Sequence, residues 1–270
     1  MSDPSFARYV ALGDSQSEGV GDGTDDTGLI GLADRLAIAM ARSNPDVRYA
    51  NLAVRGKLAG QVRHEQLEAA LALRPDVATV IAGVNDLLRP DFDASAVGRH
   101  LDAMFAALIA QGAVVATVTV PDITRINPVT RPLGGRVVAL NEEIRAVARR
   151  HGVLVAETAA HPVCTDPRMW SWDRLHASAL GHQRIADALA EVLDLPGSGS
   201  GWTEPLPPDP AQRGVVAAVA TEIRWVTGFL APWVLRRLTG KSSGDGRVAK
   251  RPTLTPVEAR PDAVTLDSPA

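Results

Sequence analysis

Five short apolar runs rich in β-branched residues recur along the chain, at Tyr9 to Leu12, Val47 to Leu52, Val77 to Ala82, Val114 to Val120 and Val153 to Glu157. A strand with one wet face alternates apolar and polar residues, so near-continuous runs imply strands buried on both faces. Between them lie Gly31 to Arg42, Ala59 to Leu73, Ser95 to Gln111, Gly135 to Arg150 and Ala179 to Leu193. These carry apolar residues at helical spacing, as in Leu101, Met104, Phe105, Leu108 and Ile109. Such alternation predicts an α/β fold with a five-stranded parallel sheet flanked by helices. Gly112 and Gly152 stand where a glycine cap ends a helix, and Pro75 enforces the break before the third strand.

The pattern changes after Leu195. Gly, Ser and Pro dominate residues 197–211, which read as a flexible turn and an extended connector. The α/β domain is therefore expected over residues 1–196. In 212–240, Val215, Val219, Ile223, Val226, Leu230, Trp233, Val234 and Leu238 recur at spacings of three and four and predict an amphipathic helix. Glu222 and Arg224 leave its apolar stretch too short to span a membrane, and Pro232 is expected to kink it. Three roles suit it: a brace on the domain, a lid over a site, or a peripheral membrane or partner surface, since Trp225, Phe229 and Trp233 accompany arginines. Residues 241–270 read as a flexible tail.

The 270 residues, 46% of them apolar, suffice for one core plus this appendage. A net charge of −3, with no basic stripe among aromatics, points away from nucleic acid and toward a small-molecule substrate. The single cysteine, Cys164, excludes an internal disulfide framework. No apolar segment of signal-peptide type precedes the first strand, so a cytoplasmic location is expected. Only Lys57, Lys241 and Lys250 are lysines, which with heavy alanine usage suggests a GC-rich bacterial coding sequence.

Four segments end a predicted strand or open a loop: Gly13-Asp14-Ser15, Asn51 to Gly56, Gly83-Val84-Asn85-Asp86 and Asp173 to His176. In an open parallel sheet the carboxyl ends of strands converge on one crevice, which would gather the first three. Ser15 is the candidate nucleophile and His176 the base that takes its proton. Asp173, three residues earlier, would orient the imidazole. The N–H groups of Ser15 and Gly56 and the amide of Asn85 are candidate oxyanion donors. Taken singly, each segment has an ordinary use as a turn, cap or surface pair; together their order and placement indicate catalysis. Asp14 and Asp86 with Asp173 and His176 admit a second reading, a metal-dependent phosphoesterase, but no HxH or DxH pair accompanies them. No metal or cofactor is therefore expected. Trp170 and Trp172 flank the acid and base as candidate pocket walls.

These four ordered blocks resemble the SGNH, or GDSL-type, esterase and lipase family over residues 8 to about 195. The resemblance implies a flavodoxin-like three-layer α/β/α hydrolase without metal. Its nucleophile falls on Ser15, its oxyanion donors on Ser15, Gly56 and Asn85, its acid on Asp173 and its base on His176, with Asp14 and Asp86 organising loops. Gln16 departs from the family's usual leucine, which bears on local packing or substrate contact. The expected function is a serine hydrolase cleaving carboxylic esters with small to medium acyl groups through an acyl-enzyme. The alternative is a non-catalytic binding or scaffold protein acting through the C-terminal helix.

Overall fold

The computed structural model describes residues 5–208, 221–232, 235 and 242–257. The remainder of the predicted 212–240 helix and the end of the tail lie outside these residues. In chain order the elements are β1 (Arg8–Gly13), α1 (Ser15–Glu18), a small hairpin of β2 (Gly23–Thr24) and β3 (Gly28–Leu29), α2 (Leu32–Ser43), β4 (Arg48–Asn51), α3 (Ala59–Ala72), β5 (Val77–Ile81), α4 (Val84–Leu87), α5 (Ala94–Ala110), β6 (Val114–Val118), α6 (Ile123–Ile126), α7 (Gly134–His151), β7 (Leu154–Ala156), α8 (Ala179–Val192) and β8 (Arg251–Pro256). Residues 221–232 are helical, with a π-helical turn at Val226–Leu230 just ahead of Pro232.

The main sheet runs β7-β6-β5-β1-β4-β8, and all neighbours are parallel except β4 and β8. Its five parallel strands follow the flavodoxin-like order. Successive residues of β1 face opposite layers. Val10 and Leu12 pack with Val62, Leu101 and Leu140 of α3, α5 and α7, and Tyr9 and Ala11 pack with Leu36 and Leu189 of α2 and α8. Both faces are dry, which is why the strands read as continuous apolar runs.

The sheet corrects two expectations. Among the described residues it has six strands rather than five, and the sixth, β8, comes from the stretch that reads as a flexible tail. Without it the outer edge of β4 would present unpaired backbone groups, and an antiparallel strand on an edge tolerates a residue such as Pro252 that lacks an N–H. Arg251 lies over the Tyr49 ring at 5.0 Å. Just before β8, Lys250 Nζ reaches Asp34 at 2.6 Å, and Arg247 reaches Asp25 at 2.6 Å.

Candidate active site

β1 delivers the chain to Gly13 at the point where the sheet order reverses, between β1 and β5. Here the loops leaving the two strands diverge and open a crevice. Gly13 has φ +152°, and a Cβ there would run into the Ile81 carbonyl, so only glycine fits. Its peptide is clamped by the buried Gln66 of α3. The Gly13 N–H donates to Oε1 and Nε2 donates to the Gly13 carbonyl, each at 2.9 Å. Asp14 then caps α1 by accepting the Gln16 N–H at 3.1 Å. Ser15 follows as the first residue of α1 and is largely buried.

Asp173 and His176 lie on a turn pinned by an isolated bridge between Trp170 and Ala177. His176 Nδ1 donates to Asp173 Oδ2 at 2.7 Å, while Asp173 Oδ1 accepts the N–H groups of Leu175 at 2.9 Å and His176 at 3.0 Å. Burial alone would raise the Asp173 pKa. The hydrogen bonds from the His176 ring and the two backbone groups outweigh it and bring the carboxyl down to about 2. An ionised acceptor at Nδ1 leaves Nε2 unprotonated in the neutral ring, the tautomer a base needs. Among the described residues no hydrogen bond joins Ser15 Oγ to His176. The link between their two loops is Gln16, whose Nε2 donates to the Leu175 carbonyl at 3.0 Å and whose Oε1 accepts the Ala177 N–H at 3.4 Å.

Gly56 adopts φ +76°, and Ser242 of the C-terminal segment packs where its Cβ would be. Its loop is tied back to α1 through Glu18, which accepts the Arg55 N–H at 2.6 Å and the Arg55 guanidinium at 2.7 Å. Asn85 Nδ2 donates to Asp14 Oδ2 at 3.0 Å and to the Lys57 carbonyl at 3.1 Å. Both of its protons thus have acceptors already, and an oxyanion would take a share of one of them. Burial, opposed by hydrogen bonds, pushes the Asp14 pKa up to about 6. Asp86 accepts the Ala59 N–H at 2.9 Å at the start of α3. Asp14 and Asp86 therefore sit in loop-organising positions. Among the described residues no group of three or more His, Cys, Asp or Glu side chains is placed to hold a metal ion.

Beside this cluster opens a cavity of about 300 Å³ whose walls include Gln16, Ile81, Val120, Ile126, Trp170 and Leu175. It begins one residue from both Ser15 and His176. Trp172 is exposed and lies outside these walls. His182 has a structural place: its Nδ1 accepts the Leu32 N–H and its Nε2–H donates to the Val20 carbonyl, both at 3.1 Å.

Three polar side chains order the site in ways the sequence does not spell out: Gln16 as the bridge, Glu18 as the clamp on the Gly56 loop, and Gln66 as the clamp on Gly13. Gln16 leaves a signal as a departure from the usual leucine, without its partner, and Gln66 leaves one as a polar residue on a helix whose neighbouring Val62 and Ala70 are core.

Solved structures that share the fold include three neighbours of low identity. LAE5, an alpha/beta hydrolase enzyme from the metagenome of Lake Arreo, Spain, is 22% identical over 71% of this chain and 97% of its own, with a TM-score of 0.59. TesA is 21% identical over 69% of this chain and 97% of its own, with a TM-score of 0.58. Axe2, an acetylxylan esterase from Geobacillus stearothermophilus, is 18% identical over 76% and 99%, with a TM-score of 0.60. No curated protein matches the chain. Residues 11–184 match the model of the GDSL-like lipase/acylhydrolase family, well over half of the sequence and all four blocks, and the chain belongs to that family of carboxylic ester hydrolases.

Proposed function

We propose that the protein cleaves carboxylic esters of small to medium acyl groups through an acyl-enzyme on Ser15. In this reading His176 Nε2 takes the Ser15 proton as Oγ attacks the ester carbonyl, and returns it to the departing alcohol. Water, activated by the same nitrogen, then releases the acid. Asp173 holds the tautomer and offsets the charge on the imidazolium. The N–H groups of Ser15 and Gly56 and the Asn85 amide receive the developing oxyanion.

The observation that carries the reading is the Asp173 carboxylate on His176 Nδ1 at 2.7 Å, on a turn bonded to the side chain of Gln16, the residue next to Ser15. The apolar cavity supports the acyl range, because 300 Å³ has room for on the order of ten groups of water or methylene size. Ser15→Ala should lower p-nitrophenyl butyrate turnover by roughly 10⁴-fold or more with the circular dichroism unchanged. It should also abolish labelling by a fluorophosphonate probe. Full activity in that variant would end the proposal.

A further inference from the structure

The cavity beside Gln16 is not closed by the α/β domain alone. Phe229 and Leu230, from the π-helical turn of the C-terminal helix, line it together with Ile123 and Leu175. Four contacts hold them there. Trp225, one turn earlier, is buried and donates its Nε1–H to the Asp173 carbonyl at 3.0 Å. Arg174 reaches Glu222 with both terminal nitrogens, one at 3.0 Å, and lies 4.8 Å over the Trp225 ring. Phe229 meets Trp172 edge-on at 6.1 Å. The helix is thus fastened to the turn that carries the acid and base. Arg174, between them, holds φ +58°, a conformation that non-glycine residues adopt only when surroundings impose it.

We propose that Phe229 and Leu230 set the acyl-chain length this site accepts, so that the C-terminal helix is a specificity wall of the active site. The proposal rests on the acyl-enzyme reading above. A loosely attached lid would not be fastened to the catalytic turn by a buried indole. The anchors and the wall lie on successive turns of one helix, so the pocket depth is fixed relative to His176.

The test measures kcat/KM of the full-length protein for p-nitrophenyl acetate, octanoate and laurate. Ratios between substrates on one sample cancel the folded fraction, so a partly unfolded variant still reports. Each methylene bound or excluded changes kcat/KM about fourfold. Phe229→Ala, which opens the wall, should raise the laurate to octanoate ratio about tenfold. Leu230→Trp, which fills the pocket, should lower the octanoate to acetate ratio by about tenfold or more. Both ratios staying within twofold of the wild type, in a protein whose Ser15 is labelled by the fluorophosphonate, would overturn the wall while leaving the esterase intact. An unlabelled Ser15 would instead overturn the acyl-enzyme reading and the wall with it.

Discussion

Gln16→Leu installs the residue usual at this position of the GDSL-type pattern and removes the bridge between the segments that carry Ser15 and His176. The side chain makes two hydrogen bonds, one well formed to the Leu175 carbonyl at 3.0 Å and one long from the Ala177 N–H at 3.4 Å. Each is worth about 0.5 to 1.5 kcal/mol net, the longer one less. Their loss loosens the backbone of Leu175 and Ala177 on either side of His176, so a cost of roughly 1 to 2 kcal/mol in positioning is expected. That corresponds to a fall of about 5- to 30-fold in kcat. KM should change less than kcat, because both hydrogen bonds of the replaced amide go to backbone even though the side chain also lines the cavity. The assay is steady-state hydrolysis of p-nitrophenyl butyrate across pH 5 to 9. Gln16→Glu supplies a second readout: it keeps an acceptor for Ala177 but sets a carboxylate beside the base, so the acidic limb of the kcat/KM profile should move to higher pH. A carboxylate turned away from the imidazole would leave that limb in place. Wild-type kcat in Gln16→Leu, together with an unshifted profile in Gln16→Glu, would refute the positioning argument.

Two further perturbations probe the site and the fold beneath it. Asn85→Ala should lower kcat by about 10² to 10³ while the protein stays folded; a loss below about fivefold would mean that the amide stays with Asp14 and Lys57 throughout the reaction. His182 is fully buried, and its surroundings bring its pKa from 6.5 down to about 4, so the neutral ring contributes stability that is complete above pH 6.5 and lost as pH falls through 4. Asp14 runs the other way: its pKa is raised from 3.8 to about 6, so its contribution is complete below 3.8 and lost as pH rises through 6. Each amounts to about 3 kcal/mol over overlapping windows, and they largely cancel in the wild type. Urea unfolding at pH 7.5 and 4.5 should therefore show His182→Asn costing about 2 to 3 kcal/mol less at the lower pH, and Asp14→Asn costing about 2 kcal/mol more there, since pH 4.5 lies inside both windows; penalties independent of pH in both variants would contradict the buried-charge account.

The five parallel strands and their main helices are legible because each is decided locally. A strand between two helical layers must be apolar throughout, and boundaries such as Val77–Ile81 and Ala179–Val192 fall within two residues of the reading. β8 is illegible for the opposite reason. Arg251-Pro252-Thr253-Leu254-Thr255-Pro256 carries prolines and a charge, and it becomes a strand only because β4 offers an open edge roughly 200 residues away in sequence. The same division runs through the site. Ser15, Gly56, Asn85, Asp173 and His176 stand in short blocks with chemistry of their own. Gln16 and Glu18 work through bonds to Leu175 and Arg55, 159 and 37 residues away, and a single polar side chain has no period by which to announce its partner.

The turn that bears His176 has little regular structure, so its geometry has to come from elsewhere, and the backbone accounting shows from where. The Leu175 and His176 N–H groups go to Asp173, the Leu175 carbonyl and the Ala177 N–H go to Gln16, the His176 carbonyl accepts from the Ser171 N–H at 2.8 Å, and the Asp173 carbonyl accepts from Trp225. Every backbone polar group flanking the imidazole is thus committed to a partner within the turn, on the nucleophile's helix or on the C-terminal helix. Moving the ring along the chain direction would break at least two of these bonds at once. In the proposed mechanism the base is thereby held where it is before substrate arrives, and little reorganisation is left for the proton-transfer step. The C-terminal helix takes part in that accounting through a single indole N–H. A segment that looks detachable by composition therefore belongs mechanically to the turn that bears His176, and shortening the chain before Trp225 removes both an anchor of that turn and a wall of the cavity.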